Sequence, residues 1–322
     1  MKKELQVLLL ACFFGTIPNL AIADDDALVL DETPPPNVDV PDNLGTAGIT
    51  LEGFYLRGFN SDLVYAVSPL FLVSGTNTIR QLSQDYAFGA RLAVDYVGPD
   101  SYNILKLEYE HLPQSHGSES FFDGVTHFHA SVESTYRAFS ATSEQPLLIG
   151  PYWETHFIGG ARYIQVSQTF SPRGAFFLPE FSASTISAAR YEVQFSGGGI
   201  VGGLSSLWTY HGFGIGTEAL TSILLVNNRL NNSFAIDQNI TPILYNVVVN
   251  IDDIMNIVPE LHVRGFMNYR YKFRNDTEFT TELGYRFNQF FNVRTNHVFE
   301  NIDSQHIGFA GPYLQFRYAG VI

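Results

Sequence analysis

Cysteine is nearly absent: Cys12 is the single one in 322 residues, so a disulfide framework is excluded. Charge is scarce too, at 16% of residues against about 25% in ordinary soluble domains. The 18 Lys and Arg are outnumbered by 32 Asp and Glu, for a net charge of −14. Nucleic acid is therefore not an expected partner, because non-specific binding needs clustered Lys and Arg. No run of 18 apolar residues follows the N-terminal segment, so no transmembrane helix is expected. Aromatic side chains are abundant instead: 27 Phe and 17 Tyr make the chain too apolar to be disordered.

Residues 1–23 read as a secretory signal peptide. Lys2 and Lys3 precede an apolar stretch from Leu5 through Phe14, and Ala21-Ile22-Ala23 is a small-x-small cleavage site. Leu9-Leu10-Ala11-Cys12 also resembles a lipobox, but the apolar core before Cys12 is short and the run continues past it. Cleavage after Ala23 removes Cys12 and leaves a cysteine-free exported chain, which fits the envelope of a Gram-negative bacterium. Residues 24–46 read as an acidic, Pro-rich periplasmic tether. They hold seven acids and no Lys or Arg, and Pro34-Pro35-Pro36 with Pro41 favours extended polyproline geometry.

Residues 47–322 read in period two. From Leu261 to Phe273 the odd positions are apolar and end in aromatics, while the even positions include His262, Arg264, Asn268, Arg270 and Lys272. Successive strand side chains point to opposite faces, so this is a two-faced strand. Phe279, Thr281, Leu283, Tyr285 and Phe287 repeat the pattern against Glu278, Thr280, Glu282 and Arg286. A soluble sandwich puts the apolar face inside, whereas a membrane barrel turns it to lipid. The strands reach the 9–11 residues or so that a tilted strand needs to cross a bilayer. Aromatics gather near strand ends, as girdles do. Short and long connections alternate, and an export signal leads the chain. The expected fold is an all-β transmembrane antiparallel up-and-down barrel of about ten strands. Expected strands lie near 48–59, 84–97, 102–112, 125–143, 152–169, 188–205, 209–227, 257–273, 278–293 and 305–322, and residues 237–250 forming an extra hairpin would make twelve. The alternation of Leu314, Phe316, Tyr318, Gly320 and Ile322 looks like a signal for the barrel-assembly machinery.

On this reading the inward charges are Arg91, Asp95, Lys106, Glu108, Glu110, Glu154, Arg162, Glu192, Glu218, Glu260, Arg264, Arg270, Lys272, Glu282, Arg286 and Arg317. Their segregation has a physical cause, since Arg or Lys facing mid-bilayer lipid costs on the order of 2–4 kcal/mol. They would line a water-filled lumen, or else fill the barrel with salt bridges.

Five segments carry a family resemblance: His156-Phe-Ile-Gly-Gly-Ala-Arg-Tyr163, Gly212-Phe-Gly-Ile-Gly216, Ile257-Val-Pro-Glu-Leu261, Leu283-Gly-Tyr-Arg-Phe287 and Gly311-Pro-Tyr-Leu-Gln-Phe316. In order and spacing they resemble the Legionella major outer membrane protein family, over roughly Tyr136 to Ile322. The resemblance implies a pore-forming outer-membrane barrel. Some members are disulfide-linked; loss of Cys12 would restrict this chain to a non-covalent homo-oligomer.

Other motifs weigh less. Gly197-Gly-Gly199-Ile-Val-Gly202 matches G-x-G-x-x-G but lacks a following helix, so no nucleotide cofactor is expected. The shift from odd outward residues (Tyr191, Val193, Phe195) to even ones (Ile200, Leu204, Trp208) suggests a one-residue bulge there. His127 and His129 share a strand face, near His111 and His116, yet zinc usually takes three or four ligands, so no metal is assigned. Asp62, Asp85, Asp123, His127 and Ser140 are the residues from which a rim catalytic site would have to be built; no catalytic motif is present, and no enzyme is expected. The three N-x-S/T matches carry no meaning in a bacterial envelope. The leading expectation is passive diffusion of small polar solutes or ions through a charge-lined lumen. The alternative is a non-conducting surface barrel whose external loops bind partners. Outer-membrane lipid is the expected surrounding.

Overall fold

The computed structural model describes residues 45–60, 64–67, 79–99, 101–122, 126–178, 183–238, 245–273, 277–295 and 303–321. The expected signal peptide and tether, apart from its last two residues, lie outside these, as do Asp62 and Asp123. Among the described residues twelve strands follow in order: β1 (Thr46–Asn60), β2 (Val64–Val67), β3 (Ile79–Gln81), β4 (Tyr86–Val97), β5 (Ile104–Phe122), β6 (Thr126–Ile149), β7 (Trp153–Leu178), β8 (Ala183–Tyr210), β9 (Phe213–Gln238), β10 (Tyr245–Lys272), β11 (Glu278–Thr295) and β12 (Asp303–Val321). All but β2 and β3 close into one antiparallel barrel of ten strands. The seam is the pairing of β1 with β12, from Thr46 opposite Val321 to Asn60 opposite Ile307. β2 and β3 form a separate two-stranded sheet. Among the described residues no helix is long and apolar enough to cross a membrane; the strands do the crossing.

The outward side chains make a continuous apolar belt. Leu107, Ala141, Ala161, Ile200 and Ile223 lie side by side across β5 to β9. The belt ends in aromatics at both edges. On the edge with the short turns stand Tyr96, Tyr152, Trp153, Trp208, Tyr210, Phe213, Tyr271 and Tyr318, all exposed. On the other edge Tyr109, Phe139 and Tyr163 are directly paired neighbours, and Tyr55 stacks on Tyr86 at 5.1 Å. Both described chain ends lie on the short-turn side, which is the periplasmic side of such a barrel.

Ten strands were expected from the alternation, and ten form. Three details differ. Residues 237–250 add no hairpin to the barrel: Asp237 and Gln238 end β9, and Tyr245 begins β10. Much of what reads as long connections, at 113–124, 170–187 and 228–256, continues the strands past the membrane. β8 and β10 reach 28 residues each, far beyond the roughly 9–11 a bilayer requires. The excess forms a β crown above the outer aromatic row. Finally, the β8–β9 turn falls at His211-Gly212 rather than 206–208. Both residues have positive φ, 50° and 85°, as a two-residue hairpin turn of the primed type requires.

The bulge expected at the glycine run is absent. β8 pairs with β7 and with β9 at constant register throughout. Val193 and Phe195 are buried inside rather than facing lipid. The glycines serve curvature instead. A Cβ on Gly199 would sit 1.9 Å from the Ile223 carbonyl oxygen, and one on Gly197 would sit 2.0 Å from that of Leu225. Only residues without a side chain let β8 coil this closely against β9. Gly199→Val should therefore abolish the folded, heat-modifiable band in an unboiled gel. Gly202→Ala, whose Cβ would lie 3.8 Å from its nearest neighbour, should leave that band in place.

Candidate functional site: the barrel interior

On β1 and in the outer part of β7 the inward residues repeat one order from the periplasmic end outward. On β1 the order is Thr50, Glu52, Phe54, Leu56, Asn60; on β7 it is Glu154, Arg162, Ile164, Val166, Gln168. Charge comes first, then an apolar stretch, then an amide.

Glu52 is the centre of the charged layer, with only 3% of its surface exposed. Its carboxylate takes ion pairs from Arg91 on β4 at 2.7 Å, Arg264 on β10 at 2.9 Å and Arg286 on β11 at 3.0 Å. Arg286, 1% exposed, reaches on to Glu110 of β5 at 2.8 Å. Arg162 of β7 lies 3.0 Å from Glu260 of β10 and 3.8 Å from Glu110. Apart from Glu52–Arg91, which joins the adjacent β1 and β4, these pairs link strands that are not neighbours, so the network crosses the lumen instead of running only along its wall. Tyr136 of β6 donates its hydroxyl to Glu110 at 3.0 Å and accepts from Arg162 and from Asn288 of β11. Tyr313 donates to Glu282 at 2.6 Å, and its ring lies under the Arg264 guanidinium at 4.3 Å.

Nearer the periplasm the charges surround a cavity of about 240 Å³. Asp95 is held by Arg317 through two hydrogen bonds, at 3.1 and 2.6 Å. Lys106 bridges Glu108 and Glu144, and Arg270 pairs with Glu278. Glu154, His156 and Glu218 share the same wall.

Above the charges lies an apolar layer. Tyr136 meets Phe290 at 6.1 Å and Phe309 at 5.4 Å between ring centres, and Phe195 meets Phe290 at 5.6 Å. β6 and β11 stand opposite each other in the ten-strand ring, so the Tyr136–Phe290 contact spans the full width. Leu56, Leu112, Ile164, Leu224 and Val258 pack into the same cluster. An amide layer follows: Asn60 donates to Gln168 at 2.8 Å and to Gln305 at 3.0 Å, and Gln168 donates to Ser134. Last, Leu82 packs on Ala130, Val132 and Phe170 inside the crown. Its segment is pinned where the Asp85 amide donates to the His116 carbonyl and Ser115 donates to the Asp85 carbonyl.

Of the sixteen charges expected inside, fifteen take inward positions; Lys272 is exposed at the periplasmic rim. Glu192 does not. With register unbroken along β8 it points outward, where Arg190 lies 3.5 Å away and Gln194 donates to it at 2.6 Å. It was misplaced with the expected bulge. Glu52, Glu144, Tyr136 and the Asn60–Gln168–Gln305 amides were not anticipated; Glu278 was read on the polar face of its strand but not counted among the lining charges. The exposed Ile49 and Leu51 beside Thr50 and Glu52 were a usable signal for the first. Of the residues considered for a rim catalytic site, the described Ser140 and His127 are not brought together. Ser140 is buried in the lumen and accepts from Arg162 at 2.8 Å. His127 is exposed on the outer face of the same strand, thirteen residues on and so roughly 43 Å away along it. His129 contacts Ser120 at 2.9 Å, and among the described residues no group of three or more His, Cys, Asp or Glu could hold a metal ion.

An apolar exterior, aromatic rows at both edges and paired charges within a closed antiparallel sheet define a transmembrane outer-membrane barrel. The chain belongs to the family of the Legionella pneumophila major outer membrane protein precursor, whose model matches residues 39–320, and it is a protein of the bacterial outer membrane. Among solved structures it is similar to the outer membrane protease OmpT of Escherichia coli, at 12% identity and a TM-score of 0.42, covering 87% of this chain and 97% of that one. It is also similar to a FadL homologue of Pseudomonas aeruginosa, at 10% identity and a TM-score of 0.25, covering 86% and 90%. No curated protein sequence matches.

Breaking a buried pair leaves an uncompensated charge, which costs about 3–5 kcal/mol. Glu52→Ala removes one carboxylate from three arginines, which keep Glu108, Glu282 and Glu110 respectively. It should destabilise the fold by about 3–5 kcal/mol, read as a lower urea midpoint for loss of the unboiled gel band. Lys106→Ala, which with Glu144 borders the open cavity, should cost clearly less.

Proposed function

We propose that the chain is a closed surface barrel: a sealed membrane anchor that carries its β crown outside the outer membrane. The observation that supports this is the contact of Tyr136 with Phe290 across the whole interior, laid over ion pairs that also cross it. A water-filled passage needs polar walls standing apart, whereas here opposite walls touch through apolar rings. A barrel of ten strands lies near the size at which side chains fill the interior. No catalytic step is assigned to it.

Passive diffusion of small polar solutes is the second reading. It is favoured by the cavity of about 240 Å³ at the periplasmic end and its charged lining. Planar-bilayer recording separates the two. Heat-modifiable wild-type protein should give no single-channel steps, and steps at the wild-type level would overturn the sealed reading in favour of diffusion. Tyr136→Ala with Phe290→Ala removes both sides of the apolar contact, and this double variant should admit ions where the parent does not.

A further inference from the structure

The charges around the cavity of about 240 Å³ at the periplasmic end do not all balance. Among its lining residues Arg91, Lys106, Arg264, Arg270 and Arg317 each stand 3.5 Å or less from a carboxylate. Asp95, Glu144, Glu278 and Glu282 are paired in the same way. Two acids are not. Glu154 comes no closer to a basic group than 3.8 Å, at His156, and Glu218 no closer than 3.9 Å, at Arg264. Arg264 is already shared by Glu52 and Glu282, at 2.9 and 3.2 Å. The unmet charge in this cavity is therefore negative, and it lies on the wall formed by β7 to β9.

Asn268 of β10 is a second, independent sign. It lines the same cavity and is only 9% exposed, yet its amide makes no side-chain hydrogen bond among the described residues. A buried amide without a partner is costly.

Register fixes the spacing. Glu154 lies opposite Leu207, Leu207 opposite Gly216, and Gly216 opposite Phe266. Glu218 stands two residues along β9 from Gly216. The two glutamates are thus two strand spacings and two residues apart, roughly 12 Å between backbones. The wall of a closed barrel is concave, so their inward side chains converge. The floor between them is apolar. A Cβ on Gly216 would collide with the Phe266 ring, and one on Gly214 with the Leu207 and Asn268 side chains. Both glycines let these side chains lie flat along the wall.

We propose that this wall binds a short aliphatic diamine from the periplasm, with Glu154 and Glu218 as the acceptors for its two ammonium groups. Carboxylates this far apart do not share one metal ion, whose ligands stand at about 2.0–2.6 Å. Two ammonium groups joined by a few methylenes reach both. Each end forms charge-assisted hydrogen bonds. The methylenes lie along Leu207 and the Phe266 ring, and Asn268 accepts from the ammonium at the periplasmic end through its carbonyl oxygen. The inference rests on the sealed reading, in which the cavity ends blindly against the charged layer and holds what enters it.

The test uses purified, folded full-length protein in detergent, titrated calorimetrically with 1,4-diaminobutane, butylamine and magnesium chloride. Saturable one-to-one binding of the diamine is expected. Glu154→Gln and Glu218→Gln keep the side-chain volume and remove one charge, so each should weaken binding by about tenfold. The unboiled gel band shows that each variant is folded. Equal binding of butylamine, displacement by magnesium at equal charge, or undiminished binding by the double variant overturns the proposal. Planar-bilayer recording on the same preparation keeps the two readings apart. Diamine binding by protein that gives single-channel steps sinks the sealed interior and leaves the site standing. No binding by protein that gives no steps removes the site alone.

Discussion

Hydrocarbon offers no hydrogen bonds, and nearly everything in this molecule follows from that. Each backbone amide and carbonyl inside the bilayer must find a partner in another strand, and a sheet with a free edge cannot supply one. The pairing of β1 with β12 removes the edge. The same solvent excludes charge from the outer face, so charged residues within the membrane must turn inward. Once inside they need partners, because an unpaired buried charge is far more costly than a paired one. Glu52 between three arginines answers both demands. Arg286 between Glu52 and Glu110 answers them again.

Ion pairs alone do not fill such a space well. Burying them yields little net stability against an apolar core of equal volume. What they contribute is fit across the lumen: a guanidinium is planar, and its donors reach two carboxylates on different strands. The apolar layer above is a different solution to the same geometry. Phe54, Phe195, Phe290 and Phe309 pack there as they would in a soluble core. Where the two layers meet, one residue serves both. The Tyr136 ring lies among phenylalanines while its hydroxyl joins the charges. Tyrosine suits that boundary because its body is apolar and its tip is polar.

Where the two faces of a strand differ strongly, the sequence showed it. Leu261–Phe273 alternates so clearly that Arg264 and Arg270 fall inside with no further information. Beyond the membrane the contrast fades. Outward positions such as Gln165, Ser167 and Thr169 are polar, and so is inward Gln168, so the run reads as a loop although the hydrogen-bonded ladder continues. In β8 both faces are apolar and interrupted by glycine. Period two cannot be phased there, and Glu192 was placed on the wrong side. Glu52 was passed over for a related reason. Phe54 and Leu56 follow it on the inward face, so this stretch of β1 is apolar on both sides. The inward fold of residues 82–85 had no local signal, because it depends on a surface built by distant strands.

That surface explains the segment. β5 to β10 rise well past the outer aromatic row, whereas β4 begins at Tyr86, at the level of that row. The crown is thus tall on one side, and its inner face is apolar there: Ala130, Val132 and Phe170, with Phe121, Phe128 and Tyr191 beside them. Left open, this face would meet water at roughly 25 cal/mol for every Å² of apolar surface. Leu82 enters the cluster and is 4% exposed, and β2 lies against β6. The entry of Leu82 into the crown and the apolar layer beneath it thus arise from one cause, the burial of apolar faces on the inner sides of the strands.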